Sequence, residues 1–156
     1  LDDFRDDAYE FYKVYGRYNP ATTNSSLHYR WFSSGTTVVD GAYYCSIMDG
    51  AYQNTSGNTE LKSGTWNATS GYLGNAIDAS SPTNVNFTLY LQHSNSKHEK
   101  SEIWGNIGGW YYDEAQITFN CASKYNTNQS CEGIQFFQSS GNMDDYDFFV
   151  YGIKIA

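Results

Sequence analysis

Residues 84–92 alternate strictly between apolar and polar side chains. In an extended chain such alternation places the apolar residues on one face and the polar residues on the other, which is typical of a half-buried β-strand. Residues 116–122 repeat the pattern, and further strand candidates lie at residues 134–138, 27–32, 36–40, 41–48, 59–66, 102–107 and 110–113. About ten short strands separated by turn residues predict an all-β fold, an antiparallel β-sandwich of jelly-roll-like type.

The two ends of the chain differ from this pattern. Apolar residues fall at helical spacing from Leu1 to Tyr15, and aspartates crowd the first turns. This arrangement favours a short N-terminal helical segment that gives way to a strand at about residue 9. Residues 147–155 are apolar on both faces, which is typical of a central strand or of one covered by another layer.

The length of 156 residues suits one domain spanning residues 1–156, because a chain of this size buries its own core. Two Asp-Gly pairs, Asp40-Gly41 and Asp49-Gly50, lie nine residues apart. Asp-Gly is a strong hairpin signal, so these pairs predict two tight turns with one strand between them.

The net charge of −8 excludes several classes of partner. Nucleic acids and anionic membrane surfaces attract Lys and Arg, so an acidic chain is poorly suited to either. No apolar run approaches the roughly 18 residues that a membrane-spanning helix needs. The sequence begins at Leu1 and contains no apolar leader, so either a leader has been removed or it lies outside the sequence.

Five N-x-[ST] sequons support an extracellular, secreted glycoprotein. The glycosylation candidates are Asn24, Asn54, Asn67, Asn86 and Asn128. Cys121 and Cys131 bracket a polar loop, and a disulfide between them would stabilise the fold by roughly 2–3 kcal/mol. Cys45 lies in an apolar strand, where a buried free thiol is the simplest interpretation, with a different intramolecular pairing or an intersubunit bridge as the alternatives.

A segment that combines aromatic, amide and glycine residues is the leading candidate for a binding site. Sugar rings stack their C–H faces on Trp and Tyr, while their hydroxyls pair with amides and carboxylates. The turn-rich stretch 105–113 offers this combination through Asn106, Trp110, Tyr111, Tyr112 and Asp113. It predicts carbohydrate recognition by aromatic residues in loops.

Three aspartates near the C-terminus, Asp144, Asp145 and Asp147, form a candidate metal site. Their hard oxygen ligands suit Ca²⁺, although the sequence contains no twelve-residue EF-hand loop. Calcium is therefore the only cofactor that the sequence suggests.

Catalytic motifs are absent from the sequence: it has no H-E-x-x-H, no G-x-S-x-G and no phosphate-binding loop. We therefore expect a non-catalytic binding module, with sugar hydrolysis by carboxylates among Asp113, Glu114 and Glu132 kept as an enzymatic alternative. A second alternative is a structural subunit of an extracellular filament, coat or matrix, in which copies of the chain associate through terminal strand pairing.

Overall fold

The computed structural model describes residues 9, 11–22, 25–34, 37–38, 44–54, 57–77, 84–92, 100–111, 115–127 and 131–153. These residues form eleven strands and no helix, so no described segment is a helix able to cross a membrane. The strands are β1 (Phe11–Pro20), β2 (Ser25–Ser34), β3 (Thr37–Val38), β4 (Tyr44–Asn54), β5 (Gly57–Ala68), β6 (Gly71–Ile77), β7 (Val85–Gln92), β8 (Glu102–Tyr111), β9 (Ala115–Tyr125), β10 (Gly133–Gln138) and β11 (Met143–Ile153).

The strand pairings divide the domain into two groups, and every pairing is antiparallel. The large sheet has the order β11-β1-β7-β8-β9-β4-β5, and the small sheet has the order β10-β2-β6 with β3 beside β2. A single pair, Ile77 with Tyr111, joins β6 to β8. The predicted all-β, antiparallel fold is confirmed. The predicted N-terminal helical segment falls largely on residues 1–8, outside the described residues.

The core lies between the two sheets in a sandwich-like arrangement. Strand β7 shows the predicted alternation, with Val85, Phe87, Leu89 and Leu91 buried. From the small sheet, β2 contributes the wholly buried Trp31, whose backbone N–H donates to the Tyr44 hydroxyl on β4 at 2.8 Å. Each buried side chain of this size stabilises the fold by about 1.5–3 kcal/mol.

Strand β11 corrects the expectation of a central or covered strand. It pairs only with β1 among the described strands and therefore lies at one end of the large sheet. Phe148 and Val150 pack against the core, whereas Phe149, Tyr151 and Ile153 on its other face are exposed.

The turn predicted at Asp49-Gly50 is wrong, because both residues lie inside β4. A Cβ at Gly50 would lie 2.4 Å from Cδ1 of Phe119 and 2.5 Å from the carbonyl oxygen of Thr118. The glycine therefore allows β9 to pack closely against β4 and does not make a turn. The other pair, Asp40-Gly41, lies outside the described residues.

The disulfide predicted between Cys121 and Cys131 is not found, and neither these residues nor Cys45 forms a disulfide. The Cys121 Sγ donates weakly to the carbonyl oxygen of Gly105 at 3.6 Å, whereas the Cys131 thiol is hydrogen bonded to Ser101. The two hydrogen-bond partners, Gly105 and Ser101, lie four residues apart in an extended chain, a distance of roughly 13 Å. The two thiols are therefore held against different parts of the core.

Candidate functional site

The outer face, defined as the surface of the large sheet turned away from the small sheet, carries an aromatic row across its strands. The register of the strand pairing places one residue from each strand side by side in this row. The row reads Tyr151, Lys13, Tyr90, Trp104, Ala122, Ile47 and Gly64. Neighbouring positions along each strand point into the core, so the period of two brings these side chains to one surface.

Three aromatic residues form a platform at the middle of this face, which we define as Phe11, Tyr90 and Trp104. The rings of Tyr90 and Trp104 are nearly parallel, at 16°, with centroids 6.0 Å apart. The edge of Phe11 meets Trp104 at 6.1 Å and 80°. The Lys13 ammonium lies 5.4 Å from the Tyr90 ring centroid, within the range of a cation–π contact. These contacts hold the platform in place while part of it stays accessible.

A shallow hollow of about 510 Å³ lies beside the platform, and we call it the Trp66 hollow. Its two most exposed apolar side chains are Trp66, at 74%, and Ile47, at 65%. Small residues such as Ala122 form part of its lining, and an ion pair between Lys124 Nζ and Glu102 Oε1, 2.5 Å long, borders it. Both partners of that pair are well exposed, so the pair contributes little to stability.

Amide and hydroxyl side chains cover the opposite flank of the platform. The Nδ2 of Asn106 donates to the Oδ1 of Asn120 on the neighbouring strand. A second depression of about 420 Å³ lies here, lined in part by Asn86, Thr88 and Asn106. The outer face thus places stacking surfaces beside hydrogen-bonding groups.

The predicted binding residues that the structure describes do not lie in a loop, which corrects that part of the prediction. Asn106, Trp110 and Tyr111 belong to β8, and Tyr112 and Asp113 lie outside the described residues. The side chain of Asn106 is exposed, whereas the side chains of Trp110 and Tyr111 lie outside the described part.

Sequence reasoning missed Tyr90 and Trp104. A signal for one of them was present, because Trp104 stands two residues before Asn106 and must share its face of a strand.

The three aspartates of the candidate calcium site lie on β11. Asp147 accepts a hydrogen bond from the Arg17 Nε at 2.6 Å, so a cation from the protein already neutralises it. Asp145 adopts a positive φ of 42°. Among the described residues, no group of three or more His, Cys, Asp or Glu side chains is arranged to hold a metal ion. Calcium binding here stays a prediction.

Two of the predicted glycosylation sites have exposed side chains, Asn67 and Asn86. Asn54 ends β4, and its side chain is outside the described part, as are Asn24 and Asn128. Asn86 lies on the outer face, where its Nδ2 donates to the carbonyl oxygen of Asn84 at 3.2 Å. An attached glycan at Asn86 would therefore project beside the second depression.

Comparisons of the chain with protein-family models, with curated proteins and with solved structures found no match, so its function is inferred from the geometry of the outer face.

Proposed function

We propose that this domain, a sandwich of jelly-roll-like type, is a secreted, non-catalytic module that binds carbohydrate on its outer face. The observation that supports this most is the nearly parallel Tyr90–Trp104 pair beside the amides of Asn106 and Asn120. Sugars require such a combination, because their C–H faces stack on aromatic rings and their hydroxyls need partners that both donate and accept.

The size of the outer face favours an oligosaccharide over a single sugar. Trp104 on β8 and the exposed Trp66 on β5 are separated by three strand spacings, about 14 Å at the usual distance between strands. An extended chain of several sugar units would contact both indoles and cross the small side chain of Ala122 between them. The Asn106 flank would then accept hydroxyls along one side of that chain.

Binding without hydrolysis is the simpler expectation for this face. Glu102 is the carboxylate on β8 nearest the platform, two residues from Trp104, and the Lys124 ammonium holds it. Glycoside hydrolysis uses two carboxyl groups on either side of the scissile bond. Of the three carboxylates considered for such a role, Asp113 and Glu114 lie outside the described residues.

A glycan array on the purified chain, followed by titration of the best oligosaccharide, tests the proposal. Because Asn86 is a predicted glycosylation site on this face, N-glycans are removed enzymatically beforehand. Trp104→Ala should weaken binding by about 2 kcal/mol, or roughly 30-fold, as expected for a central aromatic anchor. Tyr146→Ala, which removes an exposed aromatic of β11 that lines neither depression of the outer face, is the matched control and should leave affinity within about twofold.

Two further outcomes locate the site if the platform is not involved. Loss of binding with Trp110→Ala but not with Trp104→Ala would move the site to the far end of β8. Binding that requires Ca²⁺ would implicate Asp144, Asp145 and Asp147. An array without any hit would overturn the carbohydrate proposal.

A second candidate is a structural subunit that associates with copies of itself, and the exposed apolar face of β11 favours it. Phe149 is 57% and Tyr151 55% exposed on a strand that pairs on one side only among the described strands. Such strands invite pairing with another chain. Light scattering at rising concentration should then show growing assemblies, and deletion of residues 153–156 should abolish them. A monomer at all concentrations would contradict this candidate.

A further inference from the structure

Strand β10 is an end strand of the small sheet and β11 is an end strand of the large sheet, and the two face each other across a cleft in the described part of the domain. Among the described strands, β10 pairs only with β2 and β11 pairs only with β1. The cleft between them has a volume of about 880 Å³ and is lined by residues of both strands. We refer to it as the β10–β11 cleft.

Main-chain groups of β10 point towards this cleft. The N–H of Ser139 donates to the carbonyl oxygen of Ser26 at 2.9 Å, and the register continues with Phe137 opposite His28. In an antiparallel ladder, residues alternate between bonding to the partner strand and pointing away from it. The main-chain N–H and C=O of Phe136 and Gln138 therefore point away from β2, where an added strand would meet them.

The floor of the cleft is aromatic. Phe136 on β10 and Phe148 on β11 meet edge to face with centroids 5.7 Å apart, and Tyr146 lies 5.5 Å from Phe148. Phe87 packs beneath both phenylalanines at 5.7 and 5.4 Å. Tyr146 is 62% exposed, so apolar side chains of a bound segment would gain contact with it.

The rim of the cleft carries two carboxylates. Its described lining includes Asp144 and Asp147 but no Lys or Arg. Asp147 is paired with Arg17, which leaves Asp144 as the carboxylate on the rim that best suits an incoming cation. The net charge of −8 adds a long-range attraction for cations and repels a second copy of this chain.

We propose that the β10–β11 cleft binds an extended segment of a partner protein, in which apolar residues alternate with Lys or Arg, as an added β-strand. The outward main-chain groups of Phe136 and Gln138 bind its backbone, the aromatic floor receives its apolar side chains and Asp144 receives a cation. This combination corresponds to peptide recognition by strand addition, in which the backbone provides affinity and alternate side chains provide specificity.

The test uses a blocked peptide, acetyl-Lys-Val-Thr-Val-Lys-Val-Thr-Val-amide with a fluorescent label, titrated with the whole domain and followed by fluorescence anisotropy. Asp144→Lys should weaken binding about tenfold by reversing the rim charge. Asp49→Lys makes the same charge change at an exposed position on the outer face and should leave binding within about twofold. Methylation of alternate backbone nitrogens on the edge facing β10 should abolish binding, because it removes the donors of the added strand.

Three results would overturn the proposal. The first is no binding at about 1 mM peptide. The second is equal binding of the N-methylated peptide or of a version with Glu in place of Lys. The third is a stable dimer of the domain that excludes the peptide in sedimentation, which would assign the cleft to a second copy. Glycan binding on the outer face should be unchanged by Asp144→Lys, so failure of either proposal can be recognised separately.

Discussion

Ser123 is the centre of a buried hydroxyl network that connects the two sheets, and its removal tests how they are held together. The Tyr29 hydroxyl on β2 donates to Ser123 Oγ at 2.8 Å, and Ser123 Oγ lies 2.6 Å from Ser46 Oγ on β4. The backbone N–H of Tyr72 donates to Ser46 Oγ at 2.8 Å, and Ser123 Oγ donates to the carbonyl oxygen of Cys45 at 3.3 Å. With Ser46 donating to Ser123, every hydroxyl in this network has a partner.

Ser123→Ala should destabilise the domain by about 2–4 kcal/mol. The substitution leaves the hydroxyls of Tyr29 and Ser46 without their acceptor, and each unsatisfied buried group costs about 1–3 kcal/mol. Tyr29 is wholly buried, so water cannot replace the lost acceptor without disturbing the packing. The loss is a large fraction of the 5–15 kcal/mol that stabilises a typical domain.

Urea unfolding followed by tryptophan fluorescence measures this loss. Thr118→Ala on the exposed side of the same strand is the control and should change the free energy of unfolding by less than about 0.5 kcal/mol. Adding Tyr29→Phe to Ser123→Ala should cost nothing further, because it removes the hydroxyl that the first change left unpaired. A cost below about 0.5 kcal/mol for Ser123→Ala, or strict additivity in the double variant, would refute the reasoning.

Two further predictions concern titratable groups. Burial raises the pKa of Cys121 to about 12 and that of Cys131 to about 11. Near pH 8, Ellman's reagent should therefore react first with the half-buried Cys45. It should detect three thiols only after the domain has been unfolded. Detection of a single thiol in denaturant would contradict the free-thiol assignment. Burial, and to a smaller extent the charge of Arg30, lower the pKa of His28 below its ordinary value of 6.5. As the pH falls, His28 is therefore protonated in the unfolded chain before it is protonated in the folded domain. The free energy of unfolding should decrease as the pH drops below about 6.5. The urea midpoint of His28→Gln should depend less on pH over this range, and an unchanged pH dependence would exclude His28 as its source.

The local pattern of the sequence was enough to predict strands whose two faces differ in burial. Strand β7 alternates because one face meets the core and the other meets solvent. Strand β6 was missed because residues 71–74 are all buried, so the segment shows no alternation. Within this segment Gly74 lies against Ile107 and Phe119 in the core. Because β6 is buried on both faces over residues 71–74, it lacks the alternation between apolar and polar residues that identified β7.

The position of the candidate site could be predicted only in part, because it depends on register between distant strands. The turn-rich stretch 105–113 was expected to present its aromatic residues in loops, yet a Cβ at Gly105 would lie 2.1 Å from the carbonyl oxygen of Thr88. That glycine permits β7 and β8 to approach closely, and the approach brings Tyr90 opposite Trp104. Spacing along the sequence carries no information about such a pair, whereas the shared face of Trp104 and Asn106 follows from strand geometry alone.

The apolar character of both faces of β11 has a physical explanation in its position at the end of the large sheet. The period of two directs Phe148 towards the core and Phe149 towards the outer face, so one strand contributes to two separate surfaces. An exposed apolar edge strand promotes aggregation unless charge or partners protect it, and the acidic residues at the start of β11 supply such charge. Because the two surfaces use alternate residues, Tyr146→Ser should weaken peptide binding in the cleft without affecting sugar binding. A loss of both with Tyr146→Ser would mean that the two surfaces are coupled through β11 and that neither proposal describes an independent site.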